Sequence, residues 1–116
     1  MAEYSSVIRI EDITSDTDSW TFLVIDAGDP RTSSTIAELG YEPNGYFWNG
    51  VVRRLTELGI ISKEVDADPE GGEYRARGSR KDMEALAVVL TPYLDDEATI
   101  TEFIKAADAD GFDFDE

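Results

Sequence analysis

The chain has 116 residues, enough for one domain with a real core, and 41% are hydrophobic, which argues against disorder for most of it. Cysteine and histidine are both absent, which excludes disulfides, thiolate chemistry, the Ser-His triad and most zinc sites. Ten basic residues face 26 acidic ones for a formal net charge of −16, the wrong sign for gripping a phosphate backbone and the right one for fast encounter with a basic partner.

The acid is unevenly spread. Residues 1–45 hold nine acids against two bases, residues 46–94 eight against seven, and residues 95–116 nine against one. No secretory signal or membrane-length apolar run is visible, so a cytoplasmic protein with no membrane partner and no direct nucleic-acid binding is expected. Solubility, or adaptation to a salty cytoplasm, is the plainer account of the charge.

In chain order, Ser5–Ile13 is β-rich, with Ile8 and Ile10 on one face and Arg9 and Glu11 on the other. A polar turn at 14–19 leads into Trp20–Ile25, whose near-continuous apolar character predicts a central strand paired as a hairpin with the first. After a loop from Asp26, Ser34 is the expected cap of a short helical turn ended by Gly40. The stretch Gly40–Gly50 then concentrates glycines, Pro43, the Asn44-Gly45 turn pair and the rings of Tyr46, Phe47 and Trp48. It reads as a core organiser, with Gly40, Asn44, Gly45, Tyr46, Trp48 and Leu55 in structural roles. The alternative is an exposed aromatic platform for a partner. Trp48, Val51, Val52, Leu55 and Leu58 repeat at helical spacing up to Gly59, so Trp48 is expected buried with its indole N–H paired locally.

Ile60–Ala67 reads as a strand, Asp68-Pro69-Glu70-Gly71-Gly72 as a turn, and Glu73–Arg77 as a returning strand with Tyr74 and Ala76 on one face. Ser79 to Asp82 fits a capping box before a helix lined by Met83, Leu86, Ala87 and Leu90, with Pro92 expected to kink it or end it near Leu90. A last helix from about Glu97, capped by Asp95 or Asp96, buries Ile100, Phe103, Ile104 and Ala107. The predicted fold class is α+β: a single, mostly antiparallel four-stranded sheet covered by two or three helices, in the order β-β-α-β-β-α-α. The domain is set at 1–107, with 108–116 an acidic tail that docks weakly or stays loose in solution.

No catalytic constellation stands out. Asp108–Glu116 alternates acids around Gly111, but the chain ends before a calcium loop begun at Asp108 reaches its twelfth-position glutamate. Asp66, Asp68 and Glu70 read more simply as turn residues than as metal ligands. With 26 acids, chance carboxylate pairs are expected and none is singled out. No metal site, cofactor or catalytic residue is therefore assigned.

The run Gly40-Tyr41-Glu42-Pro43-Asn44-Gly45-Tyr46-Phe47-Trp48 resembles the signature segment of the immunity protein 51 family of bacterial polymorphic-toxin systems, which commonly reads Gly-Tyr-Glu-Gly-Asn-Gly-Tyr-Asp-Trp before a helix. The resemblance continues through Val65–Gly72, Tyr74, Ser79 and the helix containing Leu86. Pro43 replaces the usual glycine, and Phe47 replaces a small acidic residue able to cap the helix, which makes Asn44 a candidate cap. The resemblance implies a small intracellular protein that neutralises a cognate toxin domain, a nuclease being one target class, and it adds no catalytic residue. The expected partner is a toxin domain with a basic surface. The expected contact residues are Asp66, Asp68, Glu70 and Glu73, joined by Glu42; the competing surface is 95–116. The alternatives are a divalent-metal enzyme using carboxylates and a non-catalytic acidic regulatory or structural module.

Overall fold

The computed structural model describes residues 3–14 and 19–114, so most of the turn expected at 14–19 lies outside the described residues. The elements are β1 (Ile8–Thr14), β2 (Ser19–Asp26), α1 (Ser33–Glu38), α2 (Gly45–Glu57), β3 (Asp66–Ala67), β4 (Glu73–Gly78), α3 (Arg80–Asp95) and α4 (Glu97–Ala109). The strands form one antiparallel sheet in the order β1-β2-β4-β3, which makes β2 a central strand as its sequence suggests.

Strand register sorts the side chains into two faces. Ile8, Ile25 and Tyr74 form one cross-strand row, and Ile10, Leu23, Ala76 and Ala67 form the next. These rows face the helices, and they join Trp48, Val51, Leu55, Leu86, Leu90, Ile100 and Ile104 in one core. The opposite face carries Arg9, Glu11, Trp20, Phe22, Arg75 and Arg77, none of them buried, around Val24, which is fully covered between Arg9 and Arg75. Charged residues at alternate positions make that face cheap to leave in water.

Several local signals act as read. Asn44 caps α2, its Oδ1 accepting from the Phe47 amide at 2.8 Å. Ser79 caps α3 and Asp96 caps α4 through the Asp82 and Ala98 amides. Others act differently. The N-cap position of α1 is Thr32, not Ser34, and the Thr32 hydroxyl caps nothing: it donates to the Tyr93 and Leu94 carbonyls, tying α1 to the end of α3. α3 runs through Pro92 to Asp95. The proline removes one donor, yet the helix closes one turn further on, where the Asp96 amide donates to the Pro92 carbonyl at 2.9 Å.

The strand expected over Ile60–Ala67 shrinks to Asp66–Ala67. Gly59 turns with φ 77°, and the amides of Ile60 and Ile61 both donate back to the Leu55 carbonyl, so they serve the end of α2 instead of a ladder. The apolar stripe of α2 therefore stops at Leu55, and Leu58 is exposed. Tyr46 also loses its structural role: it sits on the solvent side of the first turn, 51% exposed. Trp48 is fully buried as expected, yet its indole N–H has no hydrogen-bond partner among the described residues.

The domain does not end at residue 107. Gly111 reverses the chain, and Phe114 returns to the core completely buried, its ring 5.1 Å from Phe47, 5.2 Å from Tyr41 and 5.9 Å from Phe103. The backbone comes so close to α2 that a Cβ on Gly50 would lie 2.3 Å from the Phe114 carbonyl oxygen. Phe112 is half-buried, with the Arg53 guanidinium 4.8 Å from its ring centre. Acids alternating with phenylalanines look like a solvated tail in sequence, but the two rings supply the burial that anchors it.

Candidate protein-binding surface

Two stretches far apart in sequence, 40–50 and 66–73, meet at Gly45. Its amide donates to the Gly71 carbonyl at 3.3 Å, and a Cβ there would lie 2.0 Å from the carbonyl oxygens of both Glu70 and Glu73. Only glycine lets the start of α2 press this closely on the β3–β4 hairpin. The Ala27 amide donates to the Gly72 carbonyl at 3.0 Å, so the hairpin tip is held from two sides. This contact brings the exposed Glu42, whose carboxylate accepts from the Asn44 side chain at 3.4 Å, to the same end of the molecule as Glu70 and Glu73.

The five expected contact residues divide into two groups. Asp66 pairs with Arg77 at 2.8 Å and Glu73 with Arg75 at 3.4 Å, so both are locally compensated. Asp68, Glu70 and Glu42 are exposed and form no ion pair among the described residues. The same division runs across the molecule. Arg9 pairs with Asp26 and Glu11, and Arg80 with Asp12 and Glu84, on the sheet side; Glu97 and Glu102 of α4 have no such partner among the described residues.

The sequence reading missed the open face of the sheet. Trp20 is 42% exposed with the Arg77 guanidinium 5.0 Å from its ring centre, and Arg75 stands 5.5 Å from the ring centre of Phe22. Beside Trp20 lies an open groove of about 380 Å³ walled by Ile60, Ile61, Met83, Leu86 and Val89. The spacing of Trp20, Phe22 and Val24 against Arg75 and Arg77 carried that signal, because even positions of β2 pair with odd positions of β4.

Among the described residues no group of three or more acids is arranged to hold a metal ion, and no helix is long and apolar enough to cross a membrane. The phenol of Tyr74 is buried without a hydrogen-bond partner among the described residues, and burial pushes its pKa well above the usual tyrosine range. It faces the core and lies apart from the exposed carboxylates. No protein-family model, curated protein or solved structure matches this chain.

Proposed function

We propose that this chain is an immunity-type inhibitor that binds a toxin domain with a basic surface and neutralises it by covering that surface. The observation that carries the reading is the exposed row of carboxylates on the β3–β4 hairpin, with Glu42 drawn to the same end by the Gly45 contact. The net charge supports it, because long-range attraction accelerates encounter with an oppositely charged partner. The resemblance of residues 40–48 and 65–79 to the immunity protein 51 family supports the same class of partner.

The test looks for a toxic domain encoded immediately upstream of this gene and, where one is found, uses it as the partner. Co-expression of the chain should rescue growth, and the purified pair should associate quickly at low salt. Replacing Glu42→Gln, Asp68→Asn and Glu70→Gln together should slow association about tenfold at low salt and much less at moderate salt, where exposed charges are screened. Association insensitive to salt, or no neighbouring toxic domain, would refute the proposal.

A further inference from the structure

β3 is a terminal strand, hydrogen-bonded to β4 on one side only. Around it residues 64–70 alternate strictly: Glu64, Asp66, Asp68 and Glu70 are exposed, while Val65, Ala67 and Pro69 are half-buried. Asp66 lies opposite Arg77, and the Asp68 amide donates to the Arg75 carbonyl at 2.8 Å. In an antiparallel ladder, residues between such hydrogen-bonded pairs turn their N–H and C=O away from the neighbouring strand. Ala67 therefore directs its backbone groups out of the sheet, and Val65 shares its parity.

That free edge borders a groove of about 440 Å³, closed on its other side by Asn49, Val52, Arg53 and Thr56 of α2. Arg53 contributes a buried Nε with no acceptor among the described residues. A groove between a helix and an unpaired strand edge is the geometry in which an extended peptide adds to a sheet, taking affinity from backbone pairing and specificity from alternate side chains.

We infer that an extended segment of the basic partner adds to β3 as a fifth strand, pairing with the backbone of Val65 and Ala67 beneath α2. The inference rests on the protein-binding reading above and names how that partner is held. Side chains of the added strand on the open face meet Glu64, Asp66 and Asp68, so lysine or arginine belongs there. Side chains on the other face meet Val65, Ala67 and Val52, so aliphatic residues belong there. A second copy of this chain is the wrong occupant, because edge-to-edge pairing sets one acidic row against another. Pro69 has no N–H to offer, which ends the new ladder at Ala67 and keeps the added strand short.

The full chain, isotopically labelled, is titrated with an acetylated peptide of alternating lysine and valine and with its glutamate-for-lysine analogue, while amide hydrogen exchange is followed by NMR. The lysine peptide should slow exchange at Val65 and Ala67 by about tenfold or more, and the glutamate analogue should not bind. Ala67→Pro removes only an N–H that faces away from β4. It should weaken the peptide at least about tenfold while the amides of Asp68 and Glu70 stay protected. If that variant fails to fold, Val65→Pro repeats the test one ladder position earlier. Binding without protection of these two amides, or undiminished by the proline, overturns strand addition and leaves the basic-partner reading standing. No binding of the lysine peptide overturns strand addition as well, and the co-expression assay then decides the broader reading alone.

Discussion

Asp68 and Glu70 on the hairpin and Glu97 and Glu102 on α4 are all exposed acids without ion pairs among the described residues, yet their settings differ. The α4 acids stand on a helix whose carbonyls and amides beyond the capped first turn pair along its own axis, so they border no strand edge and offer chiefly charge. The hairpin acids flank an unpaired strand edge beside a groove, so charge and backbone pairing act on one ligand. Charge density is higher in the C-terminal region, but density alone does not locate a contact surface. Residues 108–114 differ further from a free tail, because Phe114 locks them into the core.

The largest test of that contrast is Phe114→Ala. Removing a fully buried ring that packs on Tyr41, Phe47 and Phe103 should cost about 3–5 kcal/mol, read as a lower urea midpoint with unchanged slope. Truncation after Ala107 would be destabilising for the same reason, so lost binding in such a variant would say nothing about its acids. An unchanged midpoint for Phe114→Ala would make the segment a mobile tail after all.

On the hairpin side, Gly45→Ala forces a methyl group into two carbonyl oxygens and should cost about 3 kcal/mol, since backbone cannot swing aside as a flexible side chain can. Gly71→Ala in the same hairpin meets nothing within 4 Å and serves as the control. Hydrogen exchange at Glu70 should rise in the first variant and hold in the second. Equal behaviour would mean that the two stretches do not depend on each other.

Much of this arrangement was legible in sequence because it follows from short-range rules. The caps at Asn44, Ser79 and Asp96, the central apolar strand and the stop at Gly59 each need only local chemistry. The four-stranded antiparallel sheet with helices on one face followed from their order. What escaped depends on contacts across the chain. Nothing near Phe114 in sequence shows that Gly50 leaves room for its backbone, and nothing near Ile60 shows that its amide is taken by Leu55. Of the candidate contact residues, the hairpin's acidity was visible, while the pairing of Asp66 with Arg77 required the register.

The smallest effect separates two tyrosines, one on each side of the comparison. Tyr41 donates to Asp108 at 2.5 Å, near the exposed C-terminal acids, whereas the Tyr74 hydroxyl is buried on β4 with no partner among the described residues. Removing the first hydroxyl loses a hydrogen bond to a charged acceptor, and Tyr41→Phe should cost about 1 kcal/mol. Removing the second relieves an uncompensated burial, and Tyr74→Phe should stabilise by about 1 kcal/mol near neutral pH. The alkaline limb fixes the sign. Burial raises the Tyr74 pKa in the folded chain above its unfolded value of about 10, so below that value both states hold the proton and stability is undiminished. As pH rises beyond it, the unfolded chain ionises while the folded one does not, and stability falls until the folded pKa is passed. Urea midpoints at neutral pH and above pH ~10 should therefore show the Tyr74→Phe advantage widening with pH. A Tyr74→Phe variant less stable than the parent at neutral pH would mean that this hydroxyl is satisfied, and the hairpin's inner face would lose the one polar deficit that sets it apart.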